Sequence, residues 1–386
     1  MEHLINKNVK NIEISGIRQF FNMVAAFDDT ISLTIGQPDF LTPAHVKNAA
    51  IEAIQENFTT YTHNAGYLEL RKAAAHFLKK KYELDYHPES EIIVTTGASQ
   101  AIDISFRAIL DVGSEVILPG PVYPGYEPII SLCGAVPVHI DTSEHDFRLT
   151  ADLIKQHITE KTRCIILPYP SNPTGVTLDA EEIKKIADLI RGRDLFVLSD
   201  EIYSELVFNG RHESIAKHLR DQTIVINGLS KSHSMTGFRI GLLFAPAQIA
   251  KHLLKVHQYN VSCASSISQK AALAALNEGI NDAFPMKTEY EKRMNYVYER
   301  LTKMGLPTVK PDGSFYIFPS IKKLNISSFD FAYSLAKDGG VAVVPGSAFS
   351  SYGEGYVRIS YACSFEQLEE GLNRMEKHIT TLLERG

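Results

Sequence analysis

Through the middle of this 386-residue chain, short apolar runs rich in β-branched residues alternate with amphipathic stretches. IIVTT at 92–96, EVILP at 115–119, CIILP at 164–168, LFVLS at 195–199 and TIVIN at 223–227 are each too short for a buried helix. They read as strands buried on both faces. Between them lie helical patterns. One runs from Ala98 to Leu110. Another starts at Asp179, which has Glu182 three residues on as a capping partner, and its apolar face is Ile183, Ile186, Ala187 and Ile190. Strands separated by helices imply crossover connections and a largely parallel sheet covered on both sides, an α/β architecture.

The pattern changes toward the C-terminus. A polar helix is predicted from about Lys287 to Met304, then a turn and strand in KPDGSFYIFP, then strands in VAVVP and GYVRIS. The last helix opens on Ser364 and Gln367, a capping box, and carries the stripe Phe365, Leu368, Leu372, Met375, Ile379 and Leu382. Strands and helices no longer alternate strictly here, so a smaller α+β domain is expected. The first 40 or so residues lack an alternation of their own and are expected to pack on that domain or on a partner subunit. No internal repeat or low-complexity tract interrupts the chain.

Length alone favours two domains over one. Net charge is −6, from 39 basic and 45 acidic residues, which argues against general nucleic-acid binding. Cys133, Cys164, Cys263 and Cys363 are scattered with no CxxC pair and no metal spacing. Three lie in apolar or small-residue surroundings, so buried free thiols in a reducing compartment are expected. No signal-type apolar segment opens the chain and no apolar run approaches a membrane span, so a cytoplasmic protein is expected.

In open α/β sheets ligands bind at the carboxyl ends of strands, and several polar residues stand there. Lys231 lies between Ser230 and Ser232 just after TIVIN; alone, it reads as a solvated loop lysine. Eight residues on, Arg239 stands between Gly237 and Gly241, suited to a bidentate grip on a phosphate. Asp200 closes LFVLS; alone, it reads as a turn residue. TTGASQA at 95–101 places Gly97, Ala98 and Ser99 at a helix N-terminus, where backbone N–H groups attract anions. PYPSNPTG at 168–175 reads as a tight turn carrying Asn172. Arg358 in GYVRIS reads alone as a strand arginine facing solvent.

Taken together, GLSKSHSMTGFRIG at 228–241 resembles the pyridoxal-phosphate attachment signature of class I and II aminotransferases, and the remaining motifs follow in that family's order. The resemblance covers the chain from about Ile31 to the last helix. It implies that Lys231 attaches pyridoxal 5'-phosphate and shuttles the proton of a ping-pong amino transfer. It implies that Arg239, Ser230, Gly97, Ala98 and Ser99 hold the phosphate, that Asp200 pairs with the ring nitrogen, and that Tyr203 and Asn172 meet the phenolic oxygen. Tyr123 is implied to stack on the ring, with Tyr126 as the neighbouring option. Arg358, Asn172 and Gly36 are implied to take the substrate carboxylate. Tyr61 is implied to reach a phosphate across a homodimer interface.

The fold implied is fold type I: a large domain over 45–285 around a mostly parallel seven-stranded sheet, and a small domain from 1–44 and 286–386. The substrates implied are an amino acid and a keto acid. The subgroup resembled contains aspartate and aromatic amino acid aminotransferases, and within it the N-acetyl-L,L-diaminopimelate aminotransferases of lysine synthesis, which use glutamate as donor. Arg18 in SGIRQFF is a candidate for a distal carboxylate; alone, it reads as an exposed helix arginine. A carbon–sulfur lyase of the same fold would share Lys231, Asp200, Asn172 and Arg358. A dehydrogenase is disfavoured by the lack of GxGxxG, and a DNA-binding regulator by the lack of a helix-turn-helix segment.

Overall fold

A computed structural model of the chain describes residues 1–24, 27 and 29–385. Its strands in chain order are Ile31–Ser32 (β1), Ile92–Thr95 (β2), Glu115–Gly120 (β3), Val136–Asp141 (β4), Thr162–Leu167 (β5), Phe196–Asp200 (β6), Thr223–Gly228 (β7), Gly241–Phe244 (β8), Tyr316–Ile317 (β9), Val341–Ala342 (β10), Val344–Pro345 (β11) and Val357–Ser360 (β12). Seven of them form one sheet in the order β2-β8-β7-β6-β5-β3-β4. Only β8 runs against the rest.

The apolar runs divide between the two faces of this sheet with a period of two, as alternating side chains must. Val116, Leu118, Ile166, Leu198, Ile224 and Ile226 pack with Ala101, Ile102 and Phe106 of the helix Gly97–Ile109. Ile117, Ile165 and Val197 point the other way, onto Ile183, Ile186, Ala187 and Ile190 of the helix Ala180–Ile190. Asp179 caps that helix, its Oδ1 accepting from the Glu182 N–H at 2.8 Å. Glu182 does not close the box. Its carboxylate accepts instead from the Ala151 N–H, at 2.6 Å. That group opens the helix Ala151–His157 and would otherwise lack an acceptor.

A second core draws on both ends of the chain. Phe20, Val24 and Leu33 pack with Leu301, Phe331, Leu335, Leu372 and Met375. The N-terminal segment joins it by pairing β1 with β10, in parallel. The run Val341–Pro345, expected as one strand, divides at Val343: its first half pairs with β1 and its second with β12. The box at Ser364 closes in both directions, at 3.2 and 3.4 Å. The polar helix is longer than expected, Ala283–Lys303. All four cysteines are free; Cys164 and Cys363 are buried, and Cys133 and Cys263 only half-buried.

Candidate active site

Because β2, β3, β5, β6 and β7 are parallel, their carboxyl ends lie along one edge of the sheet. Asp200 is the last residue of β6. Gly97, Tyr123, Asn172 and Lys231 follow within a few residues of β2, β3, β5 and β7. Sequence positions far apart are thus carried to one place by strand order.

Lys231 sits in a single helical turn, Leu229–Ser232, between the buried Ser230 and Ser232. Its Nζ donates to the carbonyl of Gly36 at 2.6 Å and lies 5.8 Å from the ring centroids of Tyr203 and Phe315. Burial lowers its pKa to about 8, helped by the positive charges of Arg358 and Arg239 and opposed by Asp200. An amine so placed exchanges protons near neutrality, as a catalytic base needs.

Asp200 is buried, and that burial raises its pKa to about 6. Two donors hold the carboxyl in place, the Tyr126 hydroxyl at 2.7 Å and the Ile202 N–H at 3.2 Å. Tyr126 therefore sits behind the acid and is fully buried. Tyr123 is the aromatic of the pair that faces the cleft, edge-on to Tyr126 with centroids 5.5 Å apart. Behind Asp200, the fully buried Glu201 accepts from Ser199 and Ser214, and its free oxygen is 3.1 Å from Nε2 of His212.

Gly97 has φ +79°, and a Cβ there would lie 2.4 Å from a guanidinium nitrogen of Arg239. The guanidinium therefore rests against the opening of the helix Gly97–Ile109, where the N–H groups of Gly97, Ala98 and Ser99 have no intrahelical acceptor. Arg239 donates to the Thr236 carbonyl at 3.0 Å, and among the described residues no carboxylate pairs with it. A guanidinium beside a helix N-terminus, with no acid between them, is an anion cradle.

Arg358 is buried on β12. Its Nη1 donates to Oδ1 of Asn172 at 2.9 Å and its Nη2 to the Thr34 carbonyl at 2.6 Å; its Nε has no protein acceptor. Its guanidinium lies 4.4 Å from the Tyr316 ring centroid and 5.1 Å from that of Phe349. Tyr203 and Tyr316 share a hydroxyl contact of 3.1 Å.

Two expected residues stand apart. Tyr61 is 86% exposed. Arg18 is exposed on the helix Gly16–Val24, and its side chain makes no hydrogen bond or ion pair with another described residue. Tyr126, the neighbouring option for stacking, instead holds Asp200 from behind, and Thr34 and Tyr316 were not expected at the site. A strand tyrosine inside an apolar run looks like core, and Thr34 takes part only through its backbone.

These features define an enzyme site of the aminotransferase kind, and the chain belongs to the aminotransferase class I and II family, whose model matches residues 28–375. It is 66% identical over 376 residues to a protein of Bacillus subtilis named as a probable N-acetyl-LL-diaminopimelate aminotransferase, covering 97% of this chain and 96% of that relative. An aromatic aminotransferase structure from Pyrococcus horikoshii superposes with a TM-score of 0.89 at 42% identity, over 95% of this chain and 99% of the other. The aspartate aminotransferase of Thermus thermophilus with maleate superposes at 0.92 with 34% identity, over 97% and 99%. The fold is therefore fold type I and the protein is an aminotransferase. No helix among the described residues is long and apolar enough to cross a membrane. Nor does any group of acidic, histidine and cysteine side chains among them form a metal site.

Proposed function

We propose that the protein moves amino groups between glutamate and a 2-keto acid with pyridoxal 5'-phosphate held at Lys231, and that its keto acid is the long, N-acetylated, carboxyl-bearing substrate of a lysine-synthesis step. The carrying observation is Lys231 itself, a lysine with a pKa near 8 set between the acid Asp200 and the cations Arg239 and Arg358. The residues present suit the cofactor. The cradle of Arg239, Gly97, Ala98 and Ser99 suits its phosphate, to which the buried residue Ser230 is also assigned. The buried Asp200 suits its ring nitrogen, Tyr203 its phenolic oxygen, and Tyr123 one face of its ring.

Bound there, pyridoxal phosphate supplies a protonated ring that takes up the electron pair released at the amino acid's Cα. The chain does the rest. Arg358 and Asn172 orient the substrate carboxylate, Arg358 with an Nε not committed to protein, and the Gly36 backbone bounds the same space. The amine of Lys231 removes the Cα proton and returns it on the other side of the exchange. Asp200, held by Tyr126, presents a carboxylate whose charge favours a protonated partner. Arg18 is assigned to the distal carboxylate, which requires its exposed side chain to turn toward the cleft.

The identity to the Bacillus subtilis relative supports the substrate reading. The likeness to aspartate and aromatic aminotransferases supports a second one, in which aspartate or an aromatic amino acid is the donor. We further assign residues 45–285 to a large domain and 1–44 with 286–386 to a small one, and place the enzyme as a cytoplasmic homodimer. The four free thiols suit that compartment.

Half-reactions test the function. Purified enzyme loaded with the cofactor is mixed with single amino acids, and the loss of its yellow absorbance is followed. Glutamate is expected to bleach it, and the N-acetylated keto acid to restore the colour faster than oxaloacetate does. Lys231→Ala should lose at least the factor of about 10²–10⁴ that a positioned acid–base group supplies. Equal turnover with aspartate or tyrosine would transfer the assignment to the second reading. Pyruvate formed from cystathionine, with no amino transfer to 2-oxoglutarate, would make the protein a lyase.

A further inference from the structure

Tyr316 is fully buried on β9, and three parts of the site meet on it. Its hydroxyl is 3.1 Å from that of Tyr203. Its ring underlies the Arg358 guanidinium at 4.4 Å. A Cβ added at Gly36 would stand 3.1 Å from its hydroxyl, so the segment whose carbonyl receives Lys231 passes directly over it. Pairing of β9 with β12, Tyr316 opposite Ser360, fixes the ring from the backbone. Phenylalanine would pack as well, against Phe315 at 4.7 Å and Tyr203 at 5.9 Å. What needs explaining is the hydroxyl, since a buried O–H is costly unless it is hydrogen-bonded.

Each phenol has one proton to give. If Tyr203 gives its proton to Tyr316, it can only accept from the cleft. If Tyr316 gives its proton to Tyr203, the Tyr203 proton is free to point at an anionic oxygen there. Burial holds both hydroxyls neutral, each above the ordinary phenol range. Both can therefore donate.

We propose that Tyr316 is a positioning residue that couples the two grips of the site: its hydroxyl donates to Tyr203 and so commits Tyr203 to donate to the cofactor's phenolic oxygen, while its ring supports Arg358 under the substrate carboxylate. This rests on the reading that the cleft holds pyridoxal phosphate. A phenol that itself accepts a hydrogen bond is the stronger donor, because chained hydrogen bonds polarise one another.

The readout is the pH midpoint of the bound cofactor's absorbance change, measured on wild type, Tyr203→Phe, Tyr316→Phe and the double variant without substrate. A donor on the phenolic oxygen draws charge from it and makes the attached Lys231 nitrogen less basic, which lowers the midpoint. Tyr203→Phe should raise it. Tyr316→Phe should raise it in the same direction but less, by roughly threefold in proton affinity, the scale of one neutral hydrogen bond. The double variant should match Tyr203→Phe alone, because the effect acts through Tyr203. A wild-type midpoint in Tyr316→Phe would overturn the proposal, as would a shift that persists in full in the Tyr203→Phe background, the mark of a packing role. A wild type that binds no cofactor would overturn the underlying reading and this inference with it, whereas an unchanged Tyr316→Phe beside a shifted Tyr203→Phe would overturn the inference alone.

Discussion

Asp200 ends β6 with its carboxyl buried, and burial holds its pKa at about 6 against an ordinary 3.8, although the Tyr126 hydroxyl and the Ile202 N–H pull the other way. A carboxyl whose folded pKa is raised favours folding when protonated. That contribution is complete below about pH 4 and is lost as pH rises through about 6. At neutral pH the ionised side chain therefore costs the cofactor-free protein stability, up to about 3 kcal/mol for a shift of this size. Under the proposed function the charge is kept because the cationic ring nitrogen of the cofactor needs an anion. Asp200→Asn should accordingly raise the urea midpoint of the cofactor-free protein at pH 7, leave it nearly unchanged at pH 4, and weaken cofactor binding. A variant less stable than wild type at pH 7 would show that Tyr126 and Ile202, rather than desolvation, dominate at this residue.

At the next scale the anion cradle is a property of one helix and the strand that feeds it. Gly97 leaves β2 at φ +79°, with the Arg239 guanidinium where a side chain would begin. Gly97→Ala should cost about 1–2 kcal/mol for the left-handed backbone. It should also displace Arg239 and weaken cofactor affinity at least tenfold. Isothermal titration together with thermal melting separates the two effects, and a variant that melts lower but binds the cofactor normally would detach Arg239 from phosphate binding. Elements of this kind were legible in the sequence because motif and strand coincide: each buried apolar run ends in the residue or turn that faces the cleft. Others were not. Val136–Asp141 is a half-exposed edge strand carrying Pro137, with no apolar run to mark it. Gly241–Phe244 is only four residues long and is the one antiparallel member, so nothing local tells it from the end of the attachment loop. Tyr126 and Tyr316 look like core because they are core; their roles come from partners 74 and 113 residues away in the chain.

Over the whole molecule, residues from both ends of the chain build one core, and Gly36 and Arg358 reach the cleft from that core while Lys231 and Asp200 reach it from the large sheet. Tyr61 fits neither part, with 86% of its surface exposed, and Tyr259 is left comparably open at 88%. Large aromatic side chains presented to solvent in this way suit burial against another subunit. If Tyr61 serves the cradle of the partner subunit, each site of a two-fold dimer is completed in trans, and damage to Lys231 and to Tyr61 must complement. Lys231→Ala and Tyr61→Ala proteins, each impaired alone, would be unfolded together in equal amounts and refolded. Random pairing makes half the dimers mixed, and in each mixed dimer one site has an intact Lys231 and receives an intact Tyr61. Activity should then return to about a quarter of wild type, the share set by two-fold symmetry. Recovery no greater than the average of the two separate proteins would mean that Tyr61 acts within its own chain or not at all, and the shared-site dimer would have to be abandoned even if sedimentation showed a dimer.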